Sequence, residues 1–145
     1  MKYLIISLLI LKSVLVFAQK PGDKTLIFKV VKPVNNAIAV EEIFTIPEQM
    51  PVFPGGEAAL FNYLSKNISY PADARANGIQ GTVFISFVIN QNGSVVNPRV
   101  VRGVSQSLND EALRVMLGMP DWIPGRNRGV AVNVQYNLPI IFTLN

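Results

Sequence analysis

The side chains that most often perform catalysis or bind metal ions are largely missing from this sequence. Its 145 residues include no histidine and no cysteine. Ser–His and Cys–His nucleophile pairs, the usual general base near neutral pH and the commonest zinc ligands are therefore excluded. Asp110 and Glu111 are adjacent, and on a helix their side chains point about 100° apart, so they do not clasp one ion together. We expect no catalytic residue, no metal site and no cofactor.

The most regular pattern is the final segment, GVAVNVQYNLPIIFTLN. From Val130 to Leu144 the even positions are apolar and the odd positions are mostly small or polar. This alternation is typical of a strand with one buried face, although fifteen residues is far longer than the usual strand of about 5–6. The segment also contains Pro139, which cannot donate to a sheet ladder.

Pro139 predicts which backbone groups of this strand are free. The N–H and C=O of one residue point to the same side of a strand, and those of the next residue point to the other side. A proline within the paired region is tolerated only where the missing N–H would face away from the neighbouring strand. The odd residues then face a free edge, and these are Ala131, Asn133, Gln135 and Asn137.

The charge balance gives little reason to expect a nucleic-acid partner. The chain has 13 Lys+Arg against 9 Asp+Glu, a formal net charge of +4. Lys2 and Lys12 lie in the first eighteen residues, so the rest has eleven against nine, or +2. A charge this small, spread over the chain, does not indicate nucleic acid, and Arg126 and Arg128 in PGRNRG are typical of a solvated turn.

The N-terminus, MKYLIISLLILKSVLVFAQK, is typical of an export signal. Lys2 precedes an apolar run that Lys12 interrupts and that ends in the small-residue pattern Val16-Phe17-Ala18. This run is shorter than the roughly 20 residues that a spanning helix needs. We therefore expect residues 1–18 to be a signal peptide cleaved between Ala18 and Gln19, which places the mature chain in the periplasm. If it is retained, the same segment would be a short inner-membrane anchor.

Residues 19–48 read as a leader ahead of the main domain. KTLIFKVVKP and AIAVEEIFTIP are rich in β-branched and aromatic residues, and PVNN between them is a turn signal. The leader is either a loose hairpin or a linker with local extended structure, and we expect the linker. Its apolar segments could also pair with the free edge of the last strand, in the same molecule or in a homodimer.

Two main helices and a short one are predicted within residues 49–145. Glu57 to Asn67 contains good helix formers, YPADARANG suits a short helix, and SQSLNDEALRVMLGMP suits a second long helix with Ser107 as its N-cap. The apolar stripe of the first helix comprises Leu60, Phe61, Leu64 and Ile68, and that of the last comprises Leu108, Ala112, Val115, Met116 and Met119.

Three strands complete this domain. GTVFISFVIN is apolar on both faces and free of proline, which suits the centre of a sheet. A tight turn at Asn92-Gly93 would place Pro98 of the returning strand opposite Phe87 at a hydrogen-bonded site, so we expect a longer loop or a bulge. A right-handed crossover then sets the last strand beside the first, in the order 2-1-3. Trp122 should fold back over the core.

Three segments together resemble the C-terminal domain of the TonB family, in its Bacteroidetes-type version. They are PVFPGGEAAL, the stretch from YPADARANG to EALRVM, and MPDWIPGRNRGVAVNVQYNLPIIF, and they cover about residues 48–145. The features that carry the resemblance are Tyr70-Pro71, Gly78, Gly81, Gly93, Leu108, Ala112-Leu113, Trp122, Pro124, Gly125 and Gly129.

The resemblance implies a two-layer α+β fold, with a three-stranded antiparallel sheet packed against two main helices. It also implies a protein partner, the N-terminal segment of a TonB-dependent outer-membrane transporter, which joins the sheet as a strand beside the last strand. Ala131, Asn133, Gln135 and Asn137 would then be the partner-binding residues.

The chain departs from the family's energy transducers at its N-terminus. Those proteins keep a membrane helix and a long proline-rich spacer, whereas this leader has about thirty residues, or roughly 100 Å when fully extended. Membrane contact is therefore expected only if residues 1–18 are retained. The alternative is a soluble periplasmic structural or adaptor domain with a different protein partner and no role in energy transduction.

Overall fold

A computed structural model describes the backbone of residues 14–17, 27–34 and 37–145, and the side chains from residue 41 onward. The predicted cleavage site, Ala18 and Gln19, lies outside these residues, as does most of the predicted signal segment. Among the described residues, none of the helices is both long and apolar enough to cross a membrane.

The described residues form an α+β fold with three helices and eight strands. The helices are α1 (Gly56–Asn67), α2 (Ala72–Ala76) and α3 (Gln106–Leu117). The strands are β1 (Val14–Phe17), β2 (Ile27–Val34), β3 (Ala37–Phe44), β4 (Gly81–Ile89), β5 (Val95–Arg102), β6 (Arg126–Asn127), β7 (Val130–Ala131) and β8 (Asn133–Phe142).

The main sheet is larger than the predicted three-stranded antiparallel one. It has six strands in the order β1-β2-β3-β8-β4-β5, and the β3–β8 pair is parallel. Strand number and strand order therefore differ from the prediction. The reason is the leader, which forms the β2–β3 hairpin rather than a linker and adds its strands beyond β8. β4 does lie between β5 and β8, but β8 is not an edge strand over its whole length.

The predicted fifteen-residue last strand is divided. Val130–Ala131 pairs with β6, Val132 donates its N–H to the carbonyl of Gly125, and the long strand β8 begins at Asn133. From there β8 pairs with β4 without a register shift, from Ile89 opposite Val134 to Gly81 opposite Phe142.

All three helices contribute to a core on one face of the sheet. Leu60 and Leu64 of α1 are buried, as predicted, but Phe61 of the same predicted stripe is exposed. The predicted stripe of α3 is confirmed at four positions, since Leu108, Ala112, Val115 and Met116 are buried and Met119 packs against them. The N-cap of α3 is Ser105 and not Ser107, because the Ser105 hydroxyl accepts the Leu108 N–H.

The bulge predicted in the β4–β5 hairpin is present. Ser86 pairs with Arg99 and Val88 with Val96, so Phe87 faces both Asn97 and Pro98. Asn97 takes a left-handed conformation at φ 52°. The bulge keeps Pro98 out of a hydrogen-bonded position.

The turn of this hairpin is closed by the segment that carries Trp122. Trp122 is 4% exposed, which confirms its predicted burial, and its rings contact Phe53, Phe87 and Tyr136. Its backbone N–H donates to the carbonyl of Gly93 at 2.7 Å. A Cβ at Gly93 would lie 1.9 Å from the Trp122 carbonyl oxygen, so this close approach requires glycine.

A bidentate ion pair within α3 also forms hydrogen bonds to the chain at the end of α1. Arg114 Nε and Nη2 donate to the two oxygens of Glu111 at 2.8 and 2.7 Å, and Nη2 also donates to the carbonyl of Asn67. Glu111 accepts the Ser69 N–H as well. The Arg114 hydrogen bonds are the main reason why the pKa of Glu111 lies below its usual value near 4.5.

Gly93→Ala should destabilise the domain more than Gly129→Ala, because it introduces a steric clash in addition to backbone strain. The left-handed conformation alone costs an L-residue about 1–2 kcal/mol, and at Gly93 the hairpin must also move away from Trp122. Gly129→Ala is the matched control, because Gly129 has φ +75° and open space around it. Chemical denaturation measures both, and equal losses would contradict the close contact.

Trp122→Ala should lower the free energy of unfolding by about 3–5 kcal/mol, since it leaves a large cavity in the core. The neighbouring Ile123 side chain is 57% exposed, so Ile123→Ala should change stability by only about 0.5 kcal/mol. Urea unfolding of the two variants makes the comparison. A loss below about 1 kcal/mol for Trp122→Ala would show that the ring is not part of the core.

Glu111→Gln should remove a pH-dependent part of the stability. Because the folded-state pKa is lowered, the ionised group stabilises the fold at pH values above the unfolded pKa, and this contribution disappears as pH falls through the folded pKa. The free energy of unfolding of the wild type should therefore exceed that of Glu111→Gln near neutral pH, and the two values should converge in acid. Arg114→Gln should show the same convergence. A difference that stays constant from neutral pH to pH 3 would mean that this pair does not titrate with folding.

Candidate functional site

The outer edge of β8, on the side away from β4, is divided into two sections. At its start, Asn133 and Val134 pair in parallel with Ile43 and Phe44 of β3. From Gln135 to Phe142, no strand of the described residues pairs with this edge. We call the section from 135 to 142 the open edge. Pairing of the leader with the last strand in the same molecule, raised as one possibility from the sequence, is thus confirmed over two residue pairs.

The covered section is held by the side chain of Asn133, which is 8% exposed. Its amide nitrogen donates to a Glu41 carboxylate oxygen and to the Glu42 carbonyl, both at 3.3 Å. Its amide oxygen accepts the Gln91 N–H at 3.2 Å. One buried amide therefore connects β3, β8 and the β4–β5 loop.

The chain leaves this edge immediately after Phe44. Gln49 exchanges two backbone hydrogen bonds with Arg126, both at 2.9 Å, and Val52 does the same with Ile123 at 3.0 and 2.8 Å. Since residue 49 is held against the loop that follows Trp122, residues 45–48 must turn away from β8. The open edge begins where this turn starts.

The backbone groups of the open edge point outward at odd positions. Pro139 lies opposite Phe84 within an uninterrupted β4–β8 ladder. A proline fits such a ladder only at a position whose N–H is not needed for it. The backbone groups of Gln135, Asn137 and Ile141 therefore share the outward direction of Pro139.

A groove of about 450 Å³ runs beside the open edge. Its walls come from the segment before α1, from α1 itself and from β8, and they are Pro51, Val52, Phe53, Glu57, Leu60, Phe61, Leu64, Trp122, Tyr136, Asn137, Leu138, Pro139 and Ile141. Phe61 is 63% exposed, Ile141 65% and Val52 45%. These large apolar side chains form a patch that no other described residue covers, a feature typical of an interaction site.

Trp122, which lines this groove, carries a buried polar atom without a partner. Among the described residues, its indole nitrogen is the single buried side-chain nitrogen or oxygen that makes no hydrogen bond, whereas buried polar groups are nearly always hydrogen-bonded. Because this nitrogen is buried, it is not itself part of the groove surface.

A second cleft, also of about 450 Å³, lies on the helix-free face of the sheet. It is lined by Phe84, Ser86, Arg99, Val101, Arg102, Gln135 and Asn137. Gln135 donates to the Ser86 hydroxyl at 3.1 Å, and the Arg102 guanidinium lies 5.8 Å from the Phe84 ring centroid. The two sides of β8 therefore differ in charge, since the groove contains Glu57 whereas the cleft contains Arg99 and Arg102.

The four residues predicted to bind a partner do not lie together on a free edge. Ala131 pairs with Arg126 of β6, and Asn133 pairs with Ile43 of β3. The expectation of an unpaired edge is therefore wrong for these two, because neighbouring segments of the chain already use their backbone. Gln135 and Asn137 do lie on the open edge. Their role in binding stays a prediction.

Sequence reasoning missed the groove because its main residue was assigned to the core. Phe61 belongs to the apolar stripe of α1 by its spacing, but it points beside the buried Leu60 and Leu64 and lines the groove. The spacing of four apolar residues on a helix of eleven or twelve residues predicts which side faces the sheet. It does not predict where the edge of the sheet lies beneath the helix, and Phe61 lines the groove beside that edge.

The model for the Gram-negative bacterial TonB protein C-terminal family matches residues 66–144, which is more than half of the chain. The chain belongs to the TonB C-terminal family. Two solved structures of a Helicobacter pylori TonB C-terminal domain are similar to it, at 29% identity with a TM-score of 0.45 and at 27% with 0.47. Both cover 59% of this chain, and they are themselves covered over 77% and 90% of their length. No curated protein matches the chain.

Membership confirms the family resemblance and associates the chain with TonB-dependent transport. TonB C-terminal domains are non-catalytic and generally periplasmic, and they interact with proteins such as outer-membrane transporters. The matched region includes α2, α3 and all strands from β4 onward, so the open edge lies inside the TonB domain. The leader strands and most of α1 precede it.

Proposed function

We propose that this TonB-family domain recognises an extended peptide by strand addition to the open edge of β8. The peptide is the N-terminal segment of a TonB-dependent outer-membrane transporter, and no catalysis is involved. The observation that carries the proposal is the coincidence of an unpaired strand edge, residues 135–142, with an exposed apolar groove along the same edge.

Strand addition uses both features. The outward N–H and C=O groups of the open edge supply backbone hydrogen bonds to a guest of any sequence, and pockets for alternate side chains supply specificity. An eight-residue edge is about 26 Å long at roughly 3.3 Å per residue, which is the length of a long natural strand. Every second guest side chain would face the groove that Phe61, Val52 and Ile141 line.

Trp122 lines the groove and is the only tryptophan in the chain, so its fluorescence reports on events in the groove.

In this function the domain acts in the periplasm, where a transporter's N-terminal segment is accessible. Cleavage after Ala18 would remove β1, whose residues 14–17 lie in the predicted signal segment, and would leave the β2–β3 hairpin and its contact with β8 in place.

Two adjacent proline substitutions should behave oppositely. Asn137→Pro removes an outward N–H that only a guest needs, so the domain should stay folded and peptide affinity should fall about tenfold. Tyr136→Pro removes a bond of the β4–β8 ladder, so the domain should lose several kcal/mol of stability or unfold. Circular dichroism measures folding. Trp122 fluorescence and the anisotropy of a labelled transporter peptide measure binding.

Arg126→Ala is the control, because the Arg126 side chain is exposed and does not line the groove. It should leave affinity unchanged. If Asn137→Pro folds and binds the peptide normally, the open edge is not the docking site. If the wild-type chain binds no transporter peptide while remaining folded, the partner is a different protein, as in the adaptor alternative.

A further inference from the structure

We propose that β3 acts as a stop that sets the register of the guest strand on β8. This inference rests on the proposed function and extends it, because it names what determines the position of the guest along the edge. β3 and the guest would use the same edge of β8, end to end, with the boundary between Val134 and Gln135.

β3 cannot be extended or shifted along β8 without breaking contacts on both of its sides. Ahead of the boundary, the Asn133 amide holds Glu41 and Glu42, and Phe44 is 6% exposed. Behind it, Gln49 is tied to Arg126 through two backbone hydrogen bonds. Glu48 strengthens this tie, since its carboxylate accepts the Arg128 N–H at 2.8 Å and its own N–H donates to Asn127. The boundary therefore has a fixed position.

A fixed boundary matters because an unblocked edge does not specify register. Backbone hydrogen bonding repeats along a strand, so a guest could slide by two residues and form equivalent bonds. A slip of one residue would exchange its faces. Here the two sides differ in charge, with Glu57 in the groove on one side and Arg99 and Arg102 in the cleft on the other. With β3 in place, the guest cannot slide past Gln135 toward Asn133.

The absence of cysteine from the chain allows the register to be measured directly. Asn137→Cys and Ile141→Cys place single thiols at exposed positions of the open edge. A set of labelled transporter peptides, each with one cysteine at a successive position, is then oxidised with each full-length variant. Residues directly opposite on paired strands have Cβ atoms about 4.5–5.5 Å apart, which is close enough for disulfide formation.

With β3 intact, one peptide position should cross-link to each protein cysteine, and the two reactive positions should be four residues apart. Phe44→Pro removes a backbone N–H and the buried ring of β3 at the boundary. In that background the cross-links should spread over at least two registers or shift by two residues toward Asn133. Ile46→Pro is the matched control, because Ile46 is 59% exposed and lies in the turn beyond β3. It should keep the single register.

Hydrogen exchange at the outward-facing N–H of Asn133 shows whether β3 has been released, and Asn133→Ala serves as a second releasing variant if Phe44→Pro fails to fold. An unchanged single register after release would overturn the stop while leaving the proposed function intact. Several registers in the wild-type chain would overturn it as well. If no peptide shows an anisotropy change or a cross-link with any variant, both the proposed function and the stop are wrong.

Discussion

The backbone N–H and C=O groups on the side of β8 away from β4 need hydrogen-bond partners, and the arrangement of the chain around this edge depends on that need. Unpaired N–H and C=O groups at the edge of a long strand are a template for association with any other strand. In the described residues, β3 pairs with this edge at Asn133 and Val134, and no strand pairs with it from Gln135 to Phe142. The buried amide of Asn133 marks the division, because it is polar, nearly inaccessible to solvent and hydrogen-bonded both to β3 and to the β4–β5 loop.

Features that depend on local pattern could be predicted from the sequence. The three helices follow from apolar spacing and from turn residues at their ends, and β4 follows from a proline-free run that is apolar on both faces. The bulge at Asn97-Pro98 follows from one chemical fact, the missing N–H of proline. The same fact at Pro139 gives the outward direction of the odd residues of β8. Burial of Trp122 follows from its size next to a loop.

Features that depend on distant pairing could not be predicted in the same way. The β3 segment is extended by composition, but nothing in its eight residues says that Phe44 stops opposite Val134, ninety positions later. That position is determined by the ties of Gln49 and Val52 to the loop after Trp122, which are backbone contacts with no side-chain signature. Both Ser105 and Ser107 are acceptable N-caps by residue type. Which serine caps α3 depends on the path of the chain after β5. In the structure Ser105 has the extended backbone of an N-cap, and Ser107 lies within the helix.

An exposed apolar groove beside an unpaired strand edge favours self-association, and two features of the structure limit it. Phe61, Val52 and Ile141 are solvent-exposed apolar side chains, and with an open strand edge they would favour association between copies of the chain. Pro139 denies such a strand one backbone donor in the middle of the edge, and Glu57 leaves a charge in the groove. A strand that binds here must therefore be short enough to fit after Phe44, accept a missing donor opposite Pro139, and match Glu57 on one side and two arginines on the other. These three conditions are more restrictive together than an open edge is by itself, and they are the physical basis on which this edge can select among extended peptides.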